Sequence, residues 1–257
     1  MKITFLGTSS GLTESTRFYS NLLIKENNYQ LLIDCGDGIS KHLLNNNYSF
    51  KDDFDSIIIT HFHADHIGGL PTLLTQMKLY KRTKSLKIYV HHTIISEFIN
   101  LLNTFLLFPE KFPFPLQIFP IFEEADIFLN ESLFFNAKIN SHITLKDYKT
   151  YYNKHINPVS LSLKITSNKH SIIYTSDLGK AEDLKLFKVQ DEKYFITECS
   201  HIDISEILKL TDNNNIKIVL CHYELNKLNS LLDNYKITKN IKENKLIIAE
   251  DNLTIID

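Results

Sequence analysis

Between residues 60 and 66 the chain reads Thr60-His61-Phe62-His63-Ala64-Asp65-His66, and no other stretch restricts the fold as much. Neutral imidazoles and a carboxylate at this density are ligands for zinc, iron or manganese. The absence of nearby thiolate pairs argues against a structural zinc knuckle. In extended backbone, alternate residues project the same way, so His61 and His63 can converge on one ion. Asp65 and His66 then turn to another side and can reach a second ion. A fold that uses such a segment must present it at an open edge, with further ligands brought in from elsewhere.

Those further ligands stand where expected strands end. His142 follows Leu133–Ser141, Asp177 follows Ser171–Ser176, and His222 follows Lys217–Cys221. Polar residues at successive strand ends meet on one edge of a sheet, where open sites form. Other strands are expected at Lys2–Leu6, Leu22–Lys25, Gln30–Ile33, Ser56–Ile59, Lys87–Val90, Gln117–Pro120, Val159–Thr166, Lys245–Ile248 and Leu253–Ile256. Helices are expected over Gly38–Leu44, from Gly68 to Tyr80, and over Thr93–Leu102, Glu206–Leu210 and Asn226–Asn234. Strand-rich halves that each carry helices indicate an α/β sandwich of sheets flanked by helices. With no internal repeat and no long linker, residues 1–257 read as a single domain.

Composition sets the outer limits. A chain of 257 residues with 43% apolar content can bury a large core. With a net charge of -2, bulk electrostatics predict neither a nucleic-acid binder nor a membrane-surface protein, and leave room for a local basic patch. Cys35, Cys199 and Cys221 are widely spaced, which fits a reduced, cytoplasmic chain better than a disulfide framework. The start Met1-Lys2-Ile3-Thr4 turns polar too soon for a signal peptide, and no apolar run approaches membrane-spanning length.

With these residues in view, the sequence resembles the metallo-β-lactamase superfamily, in the branch that contains ribonuclease Z and related phosphodiesterases. Phe5-Leu6-Gly7-Thr8-Ser9-Ser10-Gly11 is similar to that branch's first strand and loop, and Asp34-Cys35-Gly36-Asp37-Gly38 to its acidic second motif. Thr60 to Pro71 resembles its metal loop and following helix. Tyr174-Thr175-Ser176-Asp177-Leu178-Gly179 and Ile218-Val219-Leu220-Cys221-His222 resemble its bridging-aspartate turn and final histidine motif.

The resemblance implies a four-layer αββα sandwich of two mixed sheets flanked by helices. It implies two divalent metal ions, zinc first, with manganese or iron also compatible. His61, His63 and His142 would hold one ion, and Asp65, His66 and His222 the other, with Asp177 shared and a hydroxide between the ions as nucleophile. Asp65 would also accept the nucleophile's proton, and Asp34 would orient a metal-loop histidine or simply form its turn. His155, followed by Asn157-Pro158-Val159, competes with His142 for the third-histidine position. His201, after Thr197-Glu198-Cys199-Ser200, resembles a histidine near the scissile phosphate and is a candidate proton donor.

The substrate is where the resemblance thins. Ribonuclease Z carries a Gly/Pro-rich basic arm for transfer RNA, whereas Ile143 to Asn157 is short, Tyr-rich and only mildly basic. The expectation is therefore a hydrolase of a small phosphodiester or cyclic nucleotide. Three alternatives stay open: transfer-RNA 3′-end cleavage, thioester hydrolysis, and iron-dependent sulfur oxygenation. RNA remains a candidate partner without a dedicated arm; a membrane is not one. The Phe105–Leu116 stretch, rich in aromatics and prolines, is not a regular helix. It is a lid, a homodimer contact or a loop packed on its own core. Histidines 42, 91, 92 and 170 have no motif around them and read as surface or loop residues.

Overall fold

The computed structural model describes residues 1–144, 157–213, 216–232 and 234–256. Its strands form two seven-stranded sheets. In the first, β1 (Lys2–Gly7), β2 (Asn21–Glu26) and β3 (Tyr29–Ile33) run antiparallel. β4 (Ser56–Ile58), β5 (Leu86–His91) and β6 (Leu116–Ile121) then add in parallel. β14 (Thr254–Ile256) returns from the far end of the chain to pair with β1. The second sheet repeats this division. β7 (Ile127–Phe128), β8 (Leu133–Asn140), β9 (Ser160–Ser167) and β10 (Ser171–Tyr174) are antiparallel. β11 (Tyr194–Thr197), β12 (Lys217–Leu220) and β13 (Leu246–Ile248) follow in parallel.

Both faces of each sheet are covered, which explains the continuous apolar runs of the central strands. Along β2 and β3, Leu22, Ile24, Leu31 and Ile33 point between the sheets and meet Leu163, Ile172 and Ile196 of the second sheet. Leu23 and Leu32 point the other way, into a layer with Leu43 of α1 (Ile39–Asn45), Leu73 and Met77 of α3 (Leu70–Leu79), and Phe98 of α4 (Ile95–Thr104). On the far side, Ile173, Phe195 and Ile218 pack under α5 (Ile204–Asn213), α6 (Leu225–Leu232) and α7 (Tyr235–Lys242). Each fully buried Leu or Ile contributes about 1.5–3 kcal/mol relative to exposure. The result is the expected αββα sandwich.

β11 and α7 were not among the expected elements. Tyr194–Thr197 is too short for its period to stand out. In α7, Lys and Asn hide an amphipathic pattern whose apolar members are Ile237 and Ile241, started by an Asn234 side chain that accepts from the Lys236 N–H. In the 105–116 stretch, Leu107, Phe114 and Leu116 are buried in the helix-side core, while Phe105 and Leu106 stay exposed. That segment packs largely on its own core. Two histidines expected at the surface are instead buried. His42 hydrogen-bonds Asn252 at 2.9 Å and packs on Phe18, and His91 is the last residue of β5. Among the described residues no helix is long and apolar enough to cross a membrane.

Candidate metal centre

The expected ligands emerge at the C-terminal ends of strands from both sheets. His61 lies just beyond β4, Asp177 just beyond β10 and His222 just beyond β12. His142 follows β8, its N–H held at 3.1 Å by the Asn140 side chain. The segment leading to His63 is extended (His63 φ -66, ψ 147), and α2 (Ala64–Ile67) begins immediately after it. This change of backbone separates His61 and His63 from Asp65 and His66, as the sequence pattern implied.

Two donor groups result, each with ligand atoms within 4.8 Å of one another. In the first, His63 Nδ1 lies 3.2 Å from His61 Nε2 and 3.0 Å from His142 Nε2. Ligand nitrogens on one tetrahedral ion with bonds of 2.0–2.1 Å would be about 3.3 Å apart. In the second, His66 Nε2 lies 3.6 Å from Asp65 Oδ2, and His222 Nε2 is 3.9 Å from the same oxygen. Asp177 belongs to both groups: its Oδ2 is 3.5 Å from His142 Nε2 and 3.1 Å from His222 Nε2, and its Oδ1 is 3.2 Å from His66 Nε2. His155 lies outside the described residues.

A second set of residues fixes the orientation of these ligands. Asp34 is wholly buried and accepts from His66 Nδ1 at 2.8 Å, from the Thr60 N–H at 2.8 Å and from the Thr60 hydroxyl. With its proton committed to Asp34, the Thr60 oxygen accepts from Ser176 and from His61 Nδ1, so His61 turns a bare Nε2 into the site. Ser20 pairs with His222 Nδ1 at 2.7 Å. Asp34, Ser176 and His222 all hold positive φ (63°, 53° and 49°), a conformation that costs each about 1–3 kcal/mol. Sequence reasoning singled out Asp34 but gave no role to Ser20, Thr60, Ser176 or Asn140. Ser20 carries no local signal, being 202 residues from its partner.

The donor chemistry fits cations. Burial pushes His61, His63 and His142 below the ordinary imidazole value, His142 to about 4, so all three are neutral ligands at neutral pH. Burial alone would raise the Asp177 carboxyl, but His222 and His66 outweigh it and hold Asp177 well below its ordinary value. Asp177 Oδ1 and His66 Nε2 are nevertheless buried without a hydrogen-bond partner, because their 3.2 Å approach is not aligned as one. Orphaned buried donors and acceptors of this kind are costly unless an ion satisfies them.

His201 is also at the centre. Its ring lies 4.7 Å from that of His142 and is stacked 6.1 Å from that of His222. Glu198, buried at the end of β11, binds His201 Nδ1 at 3.1 Å and its N–H at 2.8 Å. The Glu198 hydrogen bond raises the His201 imidazole above its ordinary value.

The same architecture occurs in the metallo-β-lactamase fold protein YhfI from Bacillus subtilis, with a TM-score of 0.74, 17% identity, and coverage of 99% of this chain and 98% of that one. In sequence, the chain is 27% identical to the anti-Pycsar protein Apyc1 of Bacillus phage 010DV004, over 87% of this chain and 89% of that protein. It is 34% identical to ribonuclease Z of Prochlorococcus marinus strain MIT 9301 over 72% of this chain, but it spans only 55% of that longer protein. Residues 1–247 match the family model described as Anti-Pycsar protein Apyc1, and the chain belongs to that family.

Proposed function

We propose that this chain is a metal-dependent hydrolase of a small phosphodiester, with a cyclic nucleotide as the leading substrate class. The observation that carries this reading is the Asp177 carboxylate, which contacts both donor groups and keeps an unpartnered buried oxygen. His61, His63 and His142 would hold one ion, Asp65, His66 and His222 the other, and Asp177 would be shared. Divalent cations bound there, zinc first, would supply Lewis-acid activation of water and stabilise charge on the phosphoryl oxygens.

The chain's own residues supply proton handling. The Asp65 side chain is 13% exposed, so its carboxylate can accept a proton from water entering the cleft. His201, 41% exposed and with its imidazole raised above the ordinary value by Glu198, would give a proton to the leaving oxygen. Residues 1–257 would act as one domain, a reading supported by β14 closing the first sheet against β1.

The test is a panel of cyclic nucleotides, bis-p-nitrophenyl phosphate, a transfer-RNA precursor and a thioester, run with defined metals beside metal analysis. The expected result is two ions at this centre, turnover of the small phosphodiesters, and loss of that turnover in Asp177→Ala. One ion at this centre, or preferential cleavage of the precursor or thioester, would overturn the proposal.

A further inference from the structure

We propose that His91, His92 and Glu123 form a separate binding site for one zinc-class divalent cation at the C-terminal ends of β5 and β6. Each residue offers a ligand atom, and these atoms lie within 4.8 Å of one another. None of the three belongs to the centre built on His61 and His222.

The hydrogen bonding around His91 leaves a ligand atom exposed to the cluster. Its side chain is 1% exposed. Nδ1 is 2.8 Å from the Thr93 hydroxyl, and that hydroxyl donates its proton to the Asn157 carbonyl at 3.0 Å. The Thr93 amide also donates to Nδ1 at 3.4 Å, so Thr93 takes up that side of the ring and Nε2 is the atom left for the cluster. That atom is buried without a hydrogen-bond partner, and it faces Glu123 Oε1 at 3.3 Å.

A buried ring nitrogen and a carboxylate oxygen that face each other without an aligned hydrogen bond are satisfied by a cation held between them. His92 Nδ1 is likewise buried without a partner. Two imidazoles and a carboxylate are a donor set that zinc accepts, with a fourth position left to solvent. An ion there would tie the end of β5 to the residue two beyond β6. The cluster does not draw on the hydrolytic centre, so the site would be structural or would carry an exchangeable ion.

The experiment compares full-length protein with the His92→Ala/Glu123→Gln variant, both dialysed to equilibrium against buffered micromolar free zinc. Metal per chain is then measured by mass spectrometry. The expected result is one zinc fewer per chain in the variant, with a smaller zinc-dependent rise in Tm. Equal zinc content would overturn the proposal and leave His91 and Glu123 as a simple ion pair. Both substitutions spare the buried His91, and equal Tm values in chelator would show that the variant is folded. Should the variant unfold, Glu123→Gln alone carries the same expectation of one lost ion. If the reading of the main centre failed, the total would change in both proteins while the difference between them stayed at one. Repeating the pair in an Asp177→Ala background separates the two readings directly.

Discussion

The Asp34 carboxylate accepts from His66 Nδ1 at 2.8 Å, and both side chains are wholly inaccessible to solvent. The contact fixes which His66 nitrogen carries the proton and turns Nε2 toward Asp65 and Asp177. Replacing Asp34 with Asn removes the charge and can reverse the direction of the bond. Asp34→Asn is expected to weaken metal binding at the second donor group by about 10–100-fold. Competition titration against a fluorescent chelator measures this; unchanged affinity would show that Asp34 only shapes its turn.

The two donor groups should differ in how metal binding couples to protons. Burial disfavours a charged His66, but Asp177 and Asp34 outweigh it and raise the group well above its ordinary value. Metal-free protein therefore carries a proton on His66 at neutral pH, and an ion taking Nε2 must expel it. Affinity at this group should rise with pH until the metal-free His66 has titrated. His61, His63 and His142 are already neutral, so their group should be nearly insensitive around pH 7. Calorimetry in buffers of different ionisation enthalpy should show about one proton released with one binding phase and almost none with the other. Equal release in both phases contradicts the assignment.

His201 and Glu198 form a dyad whose function is separable from metal binding. If His201 is the proton donor, His201→Ala should lower kcat by about 10²–10⁴-fold with metal content unchanged. The hydrogen bond that His201 donates to Glu198 raises the imidazole, so the acid form persists to higher pH. Glu198→Gln should move the alkaline limb of the kcat/KM profile to lower pH, whereas a purely structural Glu198 would leave that limb in place.

Backbone packing behind the metal loop offers a test that needs no substrate. A Cβ added at Gly36 would lie 2.3 Å from the Asp65 carbonyl oxygen and 2.6 Å from Tyr19 Cβ. Neither neighbour is the tip of a flexible side chain. Gly36→Ala should cost about 1–3 kcal/mol and lower Tm by several degrees in the presence of chelator. A variant with native Tm and native metal content would show that the loop has room to shift.

The centre was legible in the sequence to the extent that its ligands are dense or end a strand. His61, His63, Asp65 and His66 announce themselves within six residues, because extended and helical periodicity place them on two sides of one loop. His142, Asp177 and His222, which the structure brings into the two donor groups, each close an apolar run that reads as a strand. His42 and His91 were misjudged for the same reason in reverse. A lone histidine has no local pattern, and the Asn252 and Glu123 that face them lie 210 and 32 residues away.

Local periodicity and ligand spacing were thus enough for sheets flanked by helices, most of their elements, and the two-sided metal loop, while the αββα layering came from the family resemblance. Tertiary structure alone decided that Ser20 would meet His222, that Ser176 would meet Thr60, and that His66 would be the loop histidine facing Asp34. Those relations depend on which strand ends two packed sheets bring together. Contacts across tens to hundreds of residues are selected by the burial of the whole core, so no short stretch of chain records them.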